Sequence, residues 1–194
     1  MLLVVVIRWI SIFFLVLSLL SGCSILSSPN TFLKQDVAKY SIKRVAVLPF
    51  SNNTDAKEAA EVATNAFVEG LFDSKNLKVE FPGNVRKLIL SERIIIRRGI
   101  GNDHIKLIGK RLNVDAVIIG WVEKYSSGVK GQGAAIPVVS INARMVHAES
   151  SSVLWIGQHM RRGDDYVTIL DFGQINSVAA LARKVADELL ETIP

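Results

Sequence analysis

Two segments that read as central β-strands constrain the fold of this chain more than any other feature. In residues 45–50 almost every position is apolar, and residues 114–123 form the strongest strand pattern in the chain. A strand with no polar face is buried on both sides, which is typical of a sheet covered by helices. Amphipathic segments with a helical period lie between and after these strands. The sequence therefore predicts the α/β class.

Nine elements are predicted in the order β-α-β-α-α-β-β-β-α. The predicted strands are residues 42–50, 77–81, 114–123, 138–146 and 153–160, and the predicted helices are residues 56–72, 84–91, 102–112 and 177–193. Residues 93–99 are ambiguous between strand and helix. The early strands are joined through helices, which suits parallel pairing, and the turn at residues 149–152 makes an antiparallel hairpin of the last two. We expect a single domain, residues 41–194, with one mixed sheet and helices packed on it.

Several single residues carry specific structural expectations. Residues 52–55 are expected to cap the helix that follows them, and Asp115 to end a tight turn from helix to strand. Gly120 is expected to allow close backbone packing. Trp121 and Trp155 stand in strands and are expected to pack in the core.

The first 22 residues have the pattern of a secretory signal peptide. Arg8 is their only charge, residues 9–20 are almost entirely apolar, and Ser21 and Gly22 are small. A helix that stays in the membrane is the alternative, because 22 residues are long enough to cross a bilayer.

Cys23 is the one cysteine in the 194 residues, so a disulfide within the chain is excluded. Together with Leu20, Ser21 and Gly22 it resembles the bacterial lipobox. The resemblance implies that the signal is cut before Cys23 and that this residue carries an S-diacylglycerol and an N-acyl chain, with no other cofactor. Ser24 in place of aspartate favours an outer-membrane lipoprotein of a diderm bacterium that faces the periplasm.

The segment behind Cys23 is predicted to be a tether. Residues 23–40 contain serine, proline and asparagine and show no sustained period, so we expect a flexible link to the domain. Removing Arg8 with the signal leaves 22 basic and 18 acidic residues. This mild excess gives no reason to expect a nucleic acid as partner.

One basic set is a candidate surface for anionic lipid headgroups or an acidic partner. It consists of Arg93, Arg97, Arg98, Lys110 and Arg111. A solvated helical surface is the alternative interpretation of the same residues.

We expect neither a metal site nor a catalytic centre. The histidines at positions 104, 147 and 159 are placed too far apart in the predicted elements to share a zinc ion. Asp164, Asp165 and Asp171 fit a solvated loop without the ligand spacing of a calcium site. The serines at 150–152 fit a hairpin tip, and no nucleophile–base pair is recognisable.

Four segments together resemble a known group of bacterial proteins. Residues 45–54, 108–120 and 143–155 and the closing helix are similar to envelope lipoproteins of the curli-secretion (CsgG) type, the penicillin-binding-protein activator LpoB and the amino-terminal domain of TolB. The resemblance covers about residues 42–192. It implies a non-enzymatic binding or assembly module of an envelope complex, with the membrane, an envelope protein and further copies of the chain as partners. A ring-forming curli-type secretion component and an envelope hydrolase are the alternatives.

Overall fold

The structure is a computed structural model that describes residues 28–73, 77–96, 99–128, 135–168 and 172–194. These residues form seven strands and four α-helices. The strands are β1 (Asn30–Leu33), β2 (Arg44–Val47), β3 (Ser51–Asn52), β4 (Lys78–Val79), β5 (Ala116–Ser126), β6 (Val138–His147) and β7 (Val153–Arg162). The helices are α1 (Ala59–Asp73), α2 (Pro82–Ser91), α3 (Asn102–Leu112) and α4 (Val178–Leu190). Short 3₁₀ helices cover Val37–Tyr40 and Gly163–Tyr166.

All seven strands belong to one mixed sheet. Its order is β1-β7-β6-β5-β2-β4, and β3 pairs with the second half of β5. β2 pairs in parallel with β4 and β5, whereas β5–β6, β6–β7 and β1–β7 are antiparallel. These pairings confirm the predicted α/β class and the single mixed sheet. They also confirm that its early strands are parallel and that its late hairpin is antiparallel.

Helices cover the two sheet faces unequally. α1 and α4 lie side by side on one face and bury Phe67, Leu181, Leu189 and Trp155 against it. On the other face, α2 and α3 cover β2 and the first half of β5, and they bury Leu88 and other aliphatic residues there. Most of the apolar residues that recur at helical spacing in these helices are buried. These are Ala63, Phe67, Leu71, Ile105, Ile108, Leu181, Val185 and Leu189.

Asp115 joins the two parallel central strands at their amino-terminal ends. Its Oδ2 accepts hydrogen bonds from the backbone N–H groups of Lys43 and Arg44, each at 2.8 Å. Its own carbonyl accepts the N–H of Ala148 at 2.8 Å. One carboxylate therefore fixes the turn before β5 to the start of β2, which agrees with the tight turn predicted there.

Gly120 gives the close packing that the sequence predicts, and it provides a stability test. A Cβ built on Gly120 would lie 2.3 Å from Cε2 of Phe50, a buried ring. Overpacking of this kind costs about 1–3 kcal/mol. Gly120→Ala should lower the free energy of unfolding by that amount in urea titrations. Gly83→Ala is the control, because its Cβ would meet nothing within 4 Å and alanine favours the helix. Equal stability of the two variants would contradict this account.

Three expectations are corrected in detail. Asn30–Leu33, inside the predicted tether, pairs as β1 with the edge of β7 through backbone hydrogen bonds. The side chains of residues 52–55 form a turn rather than a helix cap, since Asn52 Oδ1 accepts from the N–H of Thr54 and α1 begins only at Ala59. Residues 94–96 are neither strand nor helix. Among the described residues, no helix has the length and apolar character needed to cross a membrane.

Candidate interaction surface

The second half of the sheet exposes one face that helices leave uncovered in the described structure. We call this surface the open face. It consists of Phe32, Trp121, Arg144, Ile156, Gln158 and Met160. Phe32, Ile156 and Met160 are 55 %, 40 % and 47 % exposed, although each is large and apolar. Exposed apolar patches on a protein surface commonly mark sites of protein association.

The strand register explains how these side chains come together. Arg144 of β6 is the partner of Ile156 of β7, and Ile156 is the partner of Phe32 of β1. Side chains that are directly opposite in neighbouring strands point to the same face. Trp121 of β5 lies on this face and is only half-buried, which corrects the expectation that it packs in the core.

A second exposed apolar pair lies at the opposite edge of the sheet. Phe72 lies in the last turn of α1 and Phe81 follows β4, and their ring centroids are 6.1 Å apart. Carboxylates of Asp73, Asp187 and Glu191 lie near this end of α1 and α4. Burial raises the pKa of Asp187, and the charges of Glu191 and Asp73 add to this effect, whereas the nearby charges of Arg183 and Lys184 oppose it. We call these five residues the acidic end.

The predicted basic set does not form one continuous basic surface in the described part of the chain. Arg93, Lys110 and Arg111 are exposed, and Nη2 of Arg111 lies 3.4 Å from a carboxylate oxygen of Glu92. Lys110 lines a hollow that also contains Glu149. Arg97 and Arg98 lie outside the described residues, as do Leu20, Ser21, Gly22 and Cys23. Binding of an anionic partner by this set stays a prediction.

Glu188 is the centre of a buried polar network between α4 and β7. Its Oε2 accepts hydrogen bonds from His159 Nε2 at 2.5 Å and Arg161 Nε at 2.8 Å, and its Oε1 accepts from the Tyr166 hydroxyl at 2.9 Å. His159 and Arg161 are 4 % and 3 % exposed. The loop of Asp164 and Asp165, which the sequence predicts to be solvated, is therefore flanked by buried polar contacts of Arg161 and Tyr166.

The pKa directions show which charges this network holds. Burial favours the neutral carboxyl of Glu188, but the hydrogen bonds from Arg161, His159 and Tyr166 outweigh it and lower its pKa. Burial also lowers the pKa of His159, against the hydrogen bond to Glu188. A neutral imidazole beside a carboxylate must carry its proton on Nε2. The network therefore contains one carboxylate balanced by the Arg161 guanidinium, which suits a structural role.

Among the residues that the structure describes, the remaining titratable groups give no arrangement typical of a hydrolase. Ser150 Oγ lies 2.9 Å from His147 Nδ1, but the same nitrogen also accepts the N–H of Ser150 within one exposed turn. The His147 ring packs edge-on against Tyr40 rather than against a carboxylate. Within the described ranges, no three His, Cys, Asp or Glu side chains are grouped to hold a metal ion. Asp164 pairs with Arg162, and Asp171 lies outside the described residues.

Sequence reasoning missed Glu188 and Arg144. Glu188 lies seven residues after Leu181 and next to Leu189, so a charged residue occupies the apolar stripe of the last helix. A charged residue in an apolar helix stripe indicates a buried ionic group. Arg144 follows Ser140 and Asn142 on the polar face of an alternating strand, opposite to Ala143 and Met145, so the pattern does not single it out.

Comparison with known proteins gives structural neighbours but no family. No family model and no curated protein matches the chain. The dodecamer-forming PelC from Paraburkholderia phytofirmans superposes with a TM-score of 0.58 at 15 % identity, over 84 % of this chain and 94 % of PelC. Lipoprotein GNA1162 from Neisseria meningitidis gives a TM-score of 0.54 at 16 % identity, over 77 % of this chain and 99 % of GNA1162.

These neighbours correspond in part to the resemblance found in the sequence. The LpoB carboxy-terminal domain from Escherichia coli also matches, with a TM-score of 0.46 at 11 % identity over 64 % of this chain. The more specific resemblances to the curli-secretion type and to TolB stay predictions. The chain therefore has the α/β fold shared by PelC and the lipoprotein GNA1162, and the likeness concerns the fold alone.

Proposed function

We propose that the protein is a lipid-anchored envelope lipoprotein that acts as a non-catalytic assembly module, with copies of the chain associating through the open face. The observation that carries this proposal is the apolar patch of Phe32, Ile156 and Met160 on an uncovered sheet face. A surface of this kind is suited to bury against a protein. Localisation to the periplasmic side of the outer membrane follows from the lipobox and from Ser24.

A second copy of the chain is the proposed occupant of the open face, because the molecule carries complementary surfaces on opposite sides of the sheet. The open face contains Arg144, whereas the acidic end lies at the ends of α1 and α4, the helices that cover the other face. Apolar side chains are exposed at both. Contact between two different surfaces of identical chains is heterologous, and it forms a ring when the rotation closes. PelC, which shares the fold, is a dodecamer.

The position of β1 limits how far the module can lie from the membrane. Seven positions separate Cys23 from Asn30, where β1 begins. An extended chain of that length spans at most ~25 Å. The β1 edge is therefore held close to the lipid, and copies anchored in one membrane would be presented to each other side by side. This geometry supports a ring, so a ring-forming secretion component is the second candidate.

Self-association of the lipidated protein in detergent tests the proposal. Ile156→Glu should weaken association about tenfold or more in sedimentation velocity, because it places a charge in the centre of the apolar patch. Ile95→Glu is the matched control, since Ile95 is 76 % exposed but lies outside the open face. A monomeric wild type, or equal association of the two variants, would contradict the proposal.

A further inference from the structure

A cavity of about 360 Å³ opens on the border between the open face and the part of the sheet that α2 and α3 cover. Its walls include Ser51, Asn53, Gly99, Trp121 and Arg144. The Ser51 hydroxyl donates to the carbonyl of Ile96 at 3.3 Å, and Asn53 Nδ2 donates to Glu123 Oε1 at 3.1 Å. These two polar groups are engaged within the protein. Arg144 is the charged group in the wall.

Arg144 differs from the other arginines of the described residues that are buried or half-buried. Arg44 donates to Glu80 at 2.7 Å, and Arg161 donates to Glu188 at 2.8 Å. The Nε of Arg144 is fully buried and has no hydrogen-bond partner in the described structure. Seventeen of the eighteen Asp and Glu residues are described, and none of them forms an ion pair with Arg144.

The chemistry of this site favours a carboxylate. A guanidinium stays charged at all accessible pH values, and Nε–H with one Nη–H forms a fork that matches two carboxylate oxygens. Arg162 of this chain holds Asp164 in that way, with Nε and Nη2 distances of 3.0 and 3.2 Å. Glu123, which holds Asn53 at the wall, disfavours a doubly charged phosphate. The half-buried Trp121 supplies an apolar wall.

We infer that the Arg144 cavity binds a carboxylate, presented by the side chain of a second copy docked on the open face. This inference rests on the proposed function and adds the group that the partner must supply. Arg144 lies beside Ile156, the centre of the apolar patch, so a docked chain would shield the ion pair from water. The carboxylates of the acidic end, Asp73 and Glu191, are the matching groups on the partner.

Arg144→Gln in the full-length lipidated protein separates a binding role from a structural one. A guanidinium without an internal carboxylate does not hold the fold together, so the melting temperature should stay unchanged or rise. Self-association should weaken about tenfold or more, the typical loss when one member of a buried charge pair is removed. Arg144→Lys should not restore it, because an ammonium lacks the fork. Arg86→Gln, on an exposed arginine of α2, should leave both properties unchanged.

Charge exchange identifies the source of the carboxylate. Three single variants, Arg144→Glu, Glu191→Arg and Asp73→Arg, should each weaken association. Combining Arg144→Glu with Glu191→Arg or with Asp73→Arg should restore it. Acetate should dissociate the wild-type oligomer more strongly than chloride at equal ionic strength. An Arg144→Gln protein that associates like wild type, or one with a lowered melting temperature, overturns the inference while the proposed function stands.

A wild type that stays monomeric overturns the proposed function and removes the second copy as the source. In that case acetate and inorganic phosphate are titrated onto the monomer while the tryptophan fluorescence, to which Trp121 at the cavity contributes, is followed. A saturable change with acetate that Arg144→Gln abolishes assigns the cavity to a free carboxylic acid. If acetate changes the fluorescence of Arg144→Gln as it changes that of the wild type, or if phosphate alone changes the fluorescence, the carboxylate inference is overturned as well.

Discussion

Glu188→Gln should lower the free energy of unfolding by about 3 kcal/mol or more, as removal of one member of a buried ion pair commonly does. The substitution keeps the size of the side chain but removes the negative charge that accepts from Arg161, His159 and Tyr166. Arg161 is 3 % exposed, so its charge would lose the carboxylate without gaining water. Urea titration of the full chain at neutral pH measures the loss.

A matched control lies one turn further along the chain. Glu191 is an exposed carboxylate at the end of the same helix, and Glu191→Gln should change the free energy of unfolding by no more than about 0.5 kcal/mol. The double variant Arg161→Met with Glu188→Leu should lose less than the two single changes together, because it removes both charges. A Glu188→Gln protein as stable as Glu191→Gln would show that the network contributes nothing to the fold.

The elements that sequence patterns predict well are those whose burial is decided locally. α3 matches its predicted bounds, residues 102–112, because its inward residues repeat at helical spacing. β5 is recognised because its first seven residues, 116–122, are all apolar. The parallel pairing of β2 with β5 follows from the helices between them, since parallel strands need a crossover connection.

β1 could not be predicted in the same way. All four of its residues are exposed, so the segment has no alternation of buried and exposed positions. Its existence depends on the free edge of β7, which lies more than 120 residues further along the chain. A contact between residues so far apart in the chain produces no recognisable sequence pattern in a four-residue segment. The composition of the segment is that of a linker.

The candidate site could not be predicted from the sequence for a similar reason. The strand pattern places Arg144 on the face opposite to Ala143 and Met145, but it does not tell which face the helices cover. That depends on how far α2 and α3 extend over the sheet, which is a property of the folded molecule. Trp121 was assigned to the core for this reason, although it lies where helix cover ends.

Replacement of Cys23 by alanine should abolish lipid anchoring in the outer membrane. Alanine has no thiol to accept a diacylglycerol group, and without that modification the lipobox cleavage is not expected to follow. One acyl chain gives only marginal membrane binding, at ~0.8 kcal/mol per buried CH₂, whereas two or more chains anchor a protein stably. Loss of all chains should therefore release the protein from the outer membrane or leave it mis-sorted with its signal attached.

Incorporation of labelled palmitate, followed by membrane fractionation, measures this effect in whole cells. Wild type and Ser24→Ala should both be labelled, since Ser24 follows the modified residue and supplies no thiol, while Cys23→Ala should carry no label. Label in Cys23→Ala would show that the lipobox interpretation is wrong. The anchor matters for assembly as well, because the short link from Cys23 to β1 confines the copies to one surface and raises their effective concentration. Unanchored Cys23→Ala protein should therefore self-associate less in cells, even though its open face is unchanged.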